Sequence, residues 1–268
     1  MRLLAFVYGL VAYLLAQAAV LYLPLFLAYY VVPEDRKEQI YHTPLVGRYT
    51  LRAIDAESGG RADDALLVNL LLLAAFMVPH SLMARQGFKR VWTKIVPRPI
   101  ERSTYVLVSA LLLGLLYWFW KPIPENVWPL EGTLLAETNT YLRPVFQTAF
   151  WLGWALAIAA SFTMDDFDLF GVRQTYAYFR GREYAPPAFK TPLLYRFVRH
   201  PMMLGLLIAF WATPVMTLGH MIFSGTMTLY IVVGIWLEER SLAAAHGDAY
   251  LDYKRRTSML LPLRWRRS

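Results

Sequence analysis

Residues 202–237 read MMLGLLIAFWATPVMTLGHMIFSGTMTLYIVVGIWL and contain no Asp, Glu, Lys or Arg. Arg199-His200-Pro201 precedes this stretch, and Glu238-Glu239-Arg240 follows it. A membrane-spanning helix needs about 20 apolar residues, so the stretch is too long for one span and barely long enough for two. Thr213-Pro214 lies where a turn would fall. We therefore predict a tight helical hairpin whose mouths carry two ionic clusters, and a polar site where these clusters meet.

The whole chain has the composition of a polytopic membrane protein. Of its 268 residues, 57% are apolar and 15% aromatic, and the mean hydropathy is +0.36. Four further apolar stretches could span a membrane: 3–32, 65–83, 104–120 and 145–164. Their apolar residues do not alternate as barrel strands do. We predict one all-α domain over residues 1–268, with four spanning helices plus a carboxyl-terminal helical hairpin, or five to six transmembrane segments.

Basic residues predict the orientation of this bundle. The segment 85–102 is rich in Lys and Arg with Glu101 as its one acid, and the tail after residue 254 is also basic, which favours the cytoplasmic side. The loops 33–64 and 121–141 have more acids than bases, which suits the opposite side. We expect both termini in the cytoplasm and the first apolar stretch to stay as a membrane anchor bent at Pro24, because it is longer than a signal-peptide core.

The same residues limit the possible functions. The net charge of +8 is explained by topology and anionic lipid, and the basic residues are spread over several loops, so we expect no nucleic-acid binding. Zero cysteines exclude disulfides and thiolate sites. The five histidines lie far apart without metal-ligand spacing, so we expect no metal. No phosphate-binding glycine loop is present, and any cofactor must be held by the bundle and its loops.

Three clusters of polar residues lie on the predicted cytoplasmic face. The first joins the end of the second stretch to the start of the third: His80, Ser81, Arg85, Glu101, Arg102, Ser103 and Tyr105. The second follows the fourth stretch: Asp165, Asp166, Asp168, Arg173 and Gln174. The third surrounds the hairpin: Tyr195, Arg199, His200, Glu238, Glu239, Tyr250 and Tyr253.

These motifs carry a family resemblance. Tyr195-Arg196-x-x-Arg199-His200-Pro201, the Glu238-Glu239 pair and Gly247-x-x-Tyr250-x-x-Tyr253 resemble the cofactor half of the isoprenylcysteine carboxyl methyltransferase and phospholipid methyltransferase superfamily. The rest, including Pro79-His80-Ser81 and Ile100-Glu101-Arg102-Ser103-Thr104-Tyr105, is similar to its methanethiol S-methyltransferase branch, which makes dimethyl sulfide. The chain departs from the pattern at Met203, where tyrosine is usual, and at Ser258, where proline is common.

The resemblance implies that S-adenosylmethionine is the methyl donor and that residues 165–268 bind it. The residues implied in that binding are Arg173, Gln174, Tyr195, Arg199, His200, Gly205, Glu238, Glu239 and Tyr250. The donor carries a carboxylate and an ammonium, so its site needs both a cation and an anion. We expect Arg199 and His200 to meet the carboxylate and Glu238 or Glu239 to meet the ammonium or a ribose hydroxyl. Tyr250 suits the adenine and the sulfonium.

Residues 1–164 are the expected substrate side. A thiol keeps its proton at neutral pH, so a base is needed to make the nucleophile, and we assign His80 to that role. Arg102 would stabilise the thiolate, and Glu101 or an aspartate would orient the imidazole. The resemblance adds Ser81, Tyr105 and Asp168 to the catalytic set. The expected partners are a small volatile thiol and the lipid bilayer of a bacterial inner membrane.

Two other functional classes stay open at the level of sequence. The same fold could methylate a lipid amine, a prenylcysteine carboxylate or another thiol. The chain could also be a non-enzymatic transporter or accessory protein, with His80 capping a helix and Arg199-His200-Pro201 acting only as a basic membrane anchor.

Overall fold

The computed structural model describes residues 1–44, 50–56, 64–129, 133–187 and 189–262. Its helices, in chain order, are α1 (Arg2–Leu27), α2 (Glu34–Lys37), α3 (Ala65–Met83), α4 (Gln86–Trp92), α5 (Arg98–Phe119), α6 (Leu134–Thr163), α7 (Asp166–Leu169), α8 (Val172–Phe179), α9 (Pro201–Trp211), α10 (Leu218–His246) and α11 (Asp248–Arg256). A π-helical turn covers Glu38–His42, and a 3-10 turn covers Leu193–Arg196.

The prediction of an all-α polytopic membrane protein is confirmed. Among the described residues, 5 helices are long and apolar enough to cross a membrane: α1, α3, α5, α6 and α10. Their outward faces carry exposed leucines such as Leu66, Leu67 and Leu71, which suit contact with lipid. Helix α6 begins ahead of the predicted 145–164 stretch, because the helix continues through Pro144.

The predicted carboxyl-terminal hairpin is present, and its arms are of unequal length. Helix α9 has 11 residues and α10 has 29. At about 1.5 Å per residue, α9 is roughly half as long as the hydrocarbon core is thick, while α10 is long enough to cross it. The turn lies where Thr213-Pro214 predicted it, between Trp211 and Leu218.

Glycines bring α9 against α6, not against α10. A Cβ on Gly205 would lie 2.5 Å from the Gly153 carbonyl oxygen and 2.6 Å from the Ala157 nitrogen. A Cβ on Gly153 would lie 2.7 Å from the Gly205 carbonyl oxygen. Such close backbone approach is typical of membrane helix pairs with small residues at the crossing. The tight contact of the hairpin is therefore made with a neighbouring helix.

A short strand pair lies at the hairpin turn, although the sequence predicted no strands. Strand β1 (Asn126–Trp128) pairs antiparallel with β2 (Met216–Thr217). The next residues continue the contact, since Leu218 N donates to Glu125 O at 2.7 Å. Thr217 then caps α10 by accepting from His220 N at 3.1 Å.

The helices alternate in direction, so the bundle has two ends. We call the end that contains the starts of α1, α5 and α9 and the ends of α3, α6 and α10 the site end. At the opposite end, a buried hydrogen bond joins His220 Nδ1 to Asp55 Oδ2 at 2.9 Å, and both side chains are fully buried. His220 Nε2 also lies 3.1 Å from the Phe210 carbonyl oxygen. This pair fastens the segment 50–56 onto α10.

Candidate active site

Helix α5 presents three polar side chains on one face at the site end. Arg102, Tyr105 and Ser109 are three and four residues apart, a spacing that places them on one side of a helix. The helix begins after Pro97 with Pro99 in its first turn, where proline costs no hydrogen bond. His80 lies in the last turn of α3, which packs against α5.

His80 is the centre of this first cluster. Its Nδ1 lies 3.0 Å from Ser109 Oγ, and its Nε2 lies 3.0 Å from the Tyr105 hydroxyl. The imidazole stacks on Phe76, with 5.3 Å between the ring centroids. The ring is thus held between two helices, with both nitrogens in contact with hydroxyl groups.

Helix α10 contributes Tyr230 to the same cluster. Ser81 Oγ donates to the Tyr230 hydroxyl at 3.1 Å, and the Tyr230 ring lies 6.4 Å from His80. Glu238 follows Tyr230 by eight residues on α10, about 12 Å along the helix axis. The same helix therefore supplies Tyr230 to the histidine cluster and carries the glutamate pair.

Glu101 does not orient the imidazole, which corrects the sequence prediction. Its carboxylate pairs with Lys89 Nζ at 3.6 Å. The physical reason is the position of Lys89: Glu101 lies one helical turn before Tyr105, and there the Lys89 ammonium on α4 attracts its carboxylate. Asp168 does not orient the ring either, and Ser109 occupies that place.

Arg102 connects the first cluster to the second. Its Nε donates to the Leu169 carbonyl oxygen at 2.8 Å, and its guanidinium lies 5.0 Å from the centre of the Tyr105 ring. Gly171, with φ of 89°, lies against Ser103 so closely that a Cβ would be 2.8 Å from the Ser103 nitrogen. A left-handed glycine is required for this approach.

The second cluster is built around Asp168. Its Oδ1 accepts from the Tyr184 hydroxyl at 2.7 Å and from Gln174 Nε2 at 3.4 Å. Burial and this bond to the carboxylate raise the pKa of Tyr184, so it stays a phenol and a donor. Arg173 pairs with Asp165 at 2.5 Å.

Asp166 is a buried member of the second cluster. Its carboxylate accepts from Tyr13 at 2.8 Å, Gln17 at 2.6 Å and Ser161 at 2.8 Å. Buried carboxylates need such donors. Asp166 therefore fixes α7 to α1 and α6.

The third cluster is a clamp in which the tail is bound to the hairpin. Arg199 Nε contacts Glu239 Oε1 at 2.7 Å, and Arg199 Nη1 donates to the carbonyl oxygens of Lys254 and Thr257. Lys254 Nζ contacts Glu239 Oε2 at 2.7 Å. A backbone hydrogen bond, in which Arg199 N donates to Ser258 O at 2.9 Å, also joins the two segments. The two ionic clusters of the hairpin mouths do meet.

The two glutamates have different surroundings. Both oxygens of Glu239 are engaged by the protein, since His200 Nε2 also lies 3.3 Å from Oε1, and the side chain is 8% exposed. Glu238 faces His200 Nδ1 at 3.6 Å, and its side chain is 51% exposed. Glu239 is thus the structural partner of the clamp, and Glu238 is accessible.

Aromatic residues line the clamp. Tyr250 is 1% exposed, and within the described part of the chain its hydroxyl has no hydrogen-bond partner. Phe189 packs edge-on against Tyr250 at 5.9 Å, and Tyr253 donates to the Tyr195 carbonyl oxygen at 2.6 Å. Burial raises the pKa of Tyr195, Tyr250 and Tyr253 to about 12, so all three stay neutral at physiological pH.

The structure brings together most of the residues that the sequence singled out. Gly205 lies in the crossing of α6 and α9, where its contacts are with helix backbone, so packing explains it. Sequence reasoning missed Ser109, Tyr230, Tyr184 and Lys254. Ser109 could have been found from its helical spacing to Arg102 and Tyr105, whereas Tyr184 and Tyr230 depend on tertiary packing.

Residues 68–265 match the model of the family described as NnrU protein. This chain belongs to the NnrU family. Methanethiol S-methyltransferase 1 of Bradyrhizobium diazoefficiens is 45% identical over 267 residues, covering 100% of this chain and 84% of the relative. Methanethiol S-methyltransferase 2 of the same organism is 47% identical, covering 83% of each protein. Methanethiol S-methyltransferase of Mycobacterium tuberculosis is 44% identical, covering 97% of each.

The resemblance to this branch is therefore confirmed for the NnrU protein described here. No solved structure matches the chain. Within the described residues, no group of three or more His, Cys, Asp or Glu side chains could hold a metal ion.

Proposed function

We propose that this NnrU-family protein transfers a methyl group from S-adenosylmethionine to the sulfur of a small thiol, with methanethiol as acceptor and dimethyl sulfide as product. The names of its relatives support this reaction. The observation that carries the proposal is the contact of His80 Nε2 with the Tyr105 hydroxyl at 3.0 Å, beside Arg102. A base and a fixed cation are the groups that a thiol nucleophile needs.

The residues of the second and third clusters fit the methyl donor. In these two clusters, the Tyr250 hydroxyl and Gln174 Oε1 are buried and have no partner within the described residues. Buried polar atoms without partners are rare in proteins, and a bound polar ligand would supply the missing contacts. Glu238 would meet the ammonium or a ribose hydroxyl, since Glu239 is occupied. The donor would supply a methyl group bound to a sulfonium sulfur. Transfer of that methyl group leaves a neutral thioether.

Arg199 and His200 take modified roles in this proposal. The contacts of Arg199 with Glu239 and two carbonyl oxygens make it a positioning residue that holds the tail against the hairpin. His200, between the two glutamates, keeps Glu238 in place. Tyr195 has a similar supporting role through its carbonyl oxygen and Tyr253.

The first cluster generates the nucleophile. The thiol gives its proton to the Tyr105–His80 pair, and the Arg102 guanidinium stabilises the resulting thiolate. Attack of a thiolate on a sulfonium converts two opposite charges into neutral products. Water stabilises the separated charges more than the transition state, so a site shielded from water favours the reaction. The cytoplasmic orientation predicted from the basic loops would give this site access to soluble S-adenosylmethionine.

Incubation of purified protein with S-adenosylmethionine and a panel of acceptors tests the proposal. We expect dimethyl sulfide in the headspace with methanethiol, and a higher unfolding temperature with the donor or its demethylated product. Methylation of amines or carboxylates alone would overturn the thiol assignment. The absence of any thermal shift would favour a non-enzymatic protein.

A further inference from the structure

Ser109 makes two contacts that define the hydrogen-bonding state of His80. It lies on α5, one helical turn after Tyr105. Its Oγ is 2.9 Å from the Tyr105 carbonyl oxygen and 3.0 Å from His80 Nδ1. The Ser109 hydroxyl therefore lies between a backbone carbonyl oxygen, which can only accept, and a ring nitrogen, which can donate or accept.

Counting hydrogens assigns the direction of each bond. A serine hydroxyl has one hydrogen, and a carbonyl oxygen can only accept. When Ser109 donates to the Tyr105 carbonyl oxygen, it presents a lone pair to His80, so Nδ1 must carry the ring hydrogen. Nε2 is then the nitrogen with a lone pair, and the Tyr105 hydroxyl donates to it at 3.0 Å. Every hydrogen in this series has an acceptor.

The opposite tautomer leaves one hydrogen without an acceptor. If Nε2 carried the hydrogen and Ser109 kept its bond to the Tyr105 carbonyl oxygen, the lone pairs of Ser109 and Nδ1 would face each other across 3.0 Å. If Ser109 instead gave up that bond and donated to Nδ1, it would occupy the Nδ1 lone pair. Tyr105 would accept from Nε2 and would have to direct its own hydrogen elsewhere. Within the described residues, the contacts of that hydroxyl are to the two nitrogens of His80. An unsatisfied buried hydroxyl costs about 1–3 kcal/mol, which favours the first tautomer.

We infer that Ser109 is a positioning residue that holds His80 as the Nδ1–H tautomer, with its basic Nε2 directed to Tyr105 and to the acceptor thiol. This inference rests on the proposed function and deepens it. A hydroxyl is well suited to the role because it is neutral. A carboxylate in its place would attract Arg102, whose charge the thiolate needs.

The proton step then balances. The thiol S–H bond breaks and its proton passes to the Tyr105 oxygen, while the Tyr105 hydrogen passes to His80 Nε2. The products are a thiolate beside Arg102 and an imidazolium whose two N–H groups donate to Ser109 and Tyr105. After methyl transfer, the imidazolium releases the proton to water, and the starting tautomer is restored.

Two serine variants and one control test this role. Ser109→Ala removes the acceptor for Nδ1, whereas Ser109→Thr keeps a hydroxyl. Ser241→Ala is the matched control, because Ser241 makes the same kind of bond to the carbonyl oxygen of Leu237, at 3.0 Å on an exposed face of α10. Turnover with methanethiol and histidine ring-nitrogen NMR in lipid bilayers are measured for each, with the His80 signals assigned by their loss in His80→Gln.

We expect an Nδ1–H signal for His80 in the unaltered protein and a mixture of tautomers in Ser109→Ala. The kcat of Ser109→Ala should fall about tenfold with the KM for thiol unchanged, as for other residues that orient a functional histidine. Ser109→Thr and Ser241→Ala should behave as the unaltered protein. A protonated Nε2 in the unaltered protein, or full kcat and an unchanged tautomer in Ser109→Ala, would overturn the inference. An Nδ1–H signal without thiol methylation would overturn the proposed function and support the tautomer assignment.

Discussion

At the scale of single residues, His80 and Arg102 should be needed for chemistry and not for donor binding. His80→Gln and Arg102→Gln should each lower turnover with methanethiol by about hundredfold or more, because they remove the base or the charge beside the thiolate. The unfolding temperature should still rise with S-adenosylmethionine. Headspace measurement of dimethyl sulfide and thermal unfolding check the two expectations. His42→Gln, an exposed histidine at the opposite end, serves as the control.

Loss of Glu239 should mainly lower stability, whereas loss of Glu238 should mainly weaken binding of the methyl donor. Glu239→Gln leaves Arg199 buried and less well neutralised, so it should destabilise the protein by about 3–5 kcal/mol. Glu238→Gln should unfold at a nearly normal temperature but bind S-adenosylmethionine at least about tenfold more weakly, because it loses one charged hydrogen bond. Thermal unfolding and donor titration distinguish the two. Equal effects of both substitutions would contradict this division of roles.

The sequence predicted which residues meet at the site better than it predicted their partners. The ionic clusters at the hairpin mouths could be found because the apolar stretch between them fixes where they lie. Glu101 was assigned to His80 because both lie where the second and third spans meet the predicted cytoplasmic face, but its carboxylate pairs with Lys89. The engagement of both Glu239 oxygens depends on Lys254, which α11 brings back against α10. Such choices depend on tertiary packing.

At the scale of elements, the positions of the spanning helices could be predicted from hydropathy. The unequal lengths of the two hairpin helices, α9 and α10, could not. The length of the 202–237 stretch was compatible with two spans. The structure uses part of it for the short α9, an extended turn with β2, and the long α10. Strand β1 lies in the loop between α5 and α6, and it pairs with β2 of the hairpin. No local sequence pattern indicates that these two segments pair.

The crossing of α6 and α9 should depend on its two glycines. Gly153→Ala and Gly205→Ala would each place a Cβ within 2.8 Å of backbone atoms of the facing helix. We expect each to lower stability by about 1–3 kcal/mol, as overpacking does, and to lower donor binding if the start of α9 moves. Gly225→Ala and Gly234→Ala are matched controls, since nothing lies within 4 Å of either new Cβ. The controls should leave thermal unfolding unchanged or slightly raise it.

At the scale of the whole molecule, the site is shared by distant parts of the chain. In the proposed site, α3 would provide the base, α5 the cation and the positioning serine, and α10 the glutamates. The tail contacts Glu239 and Arg199. The His220–Asp55 pair fixes the opposite end of α10. A rigid α10 held at both ends can keep the donor and acceptor regions at a constant separation, which methyl transfer requires.

This arrangement predicts one orientation in the membrane. The site end carries the basic segments, including α4, and positive charge favours the cytoplasmic side. The chain has no cysteine, so single-cysteine variants report without background. Asp35→Cys on exposed α2 should react with a membrane-impermeant maleimide in intact cells, and Arg90→Cys on α4 should react only after lysis. The reverse result would place His80 and Glu238 on the side without S-adenosylmethionine, and both the topology and the proposed reaction would then be wrong.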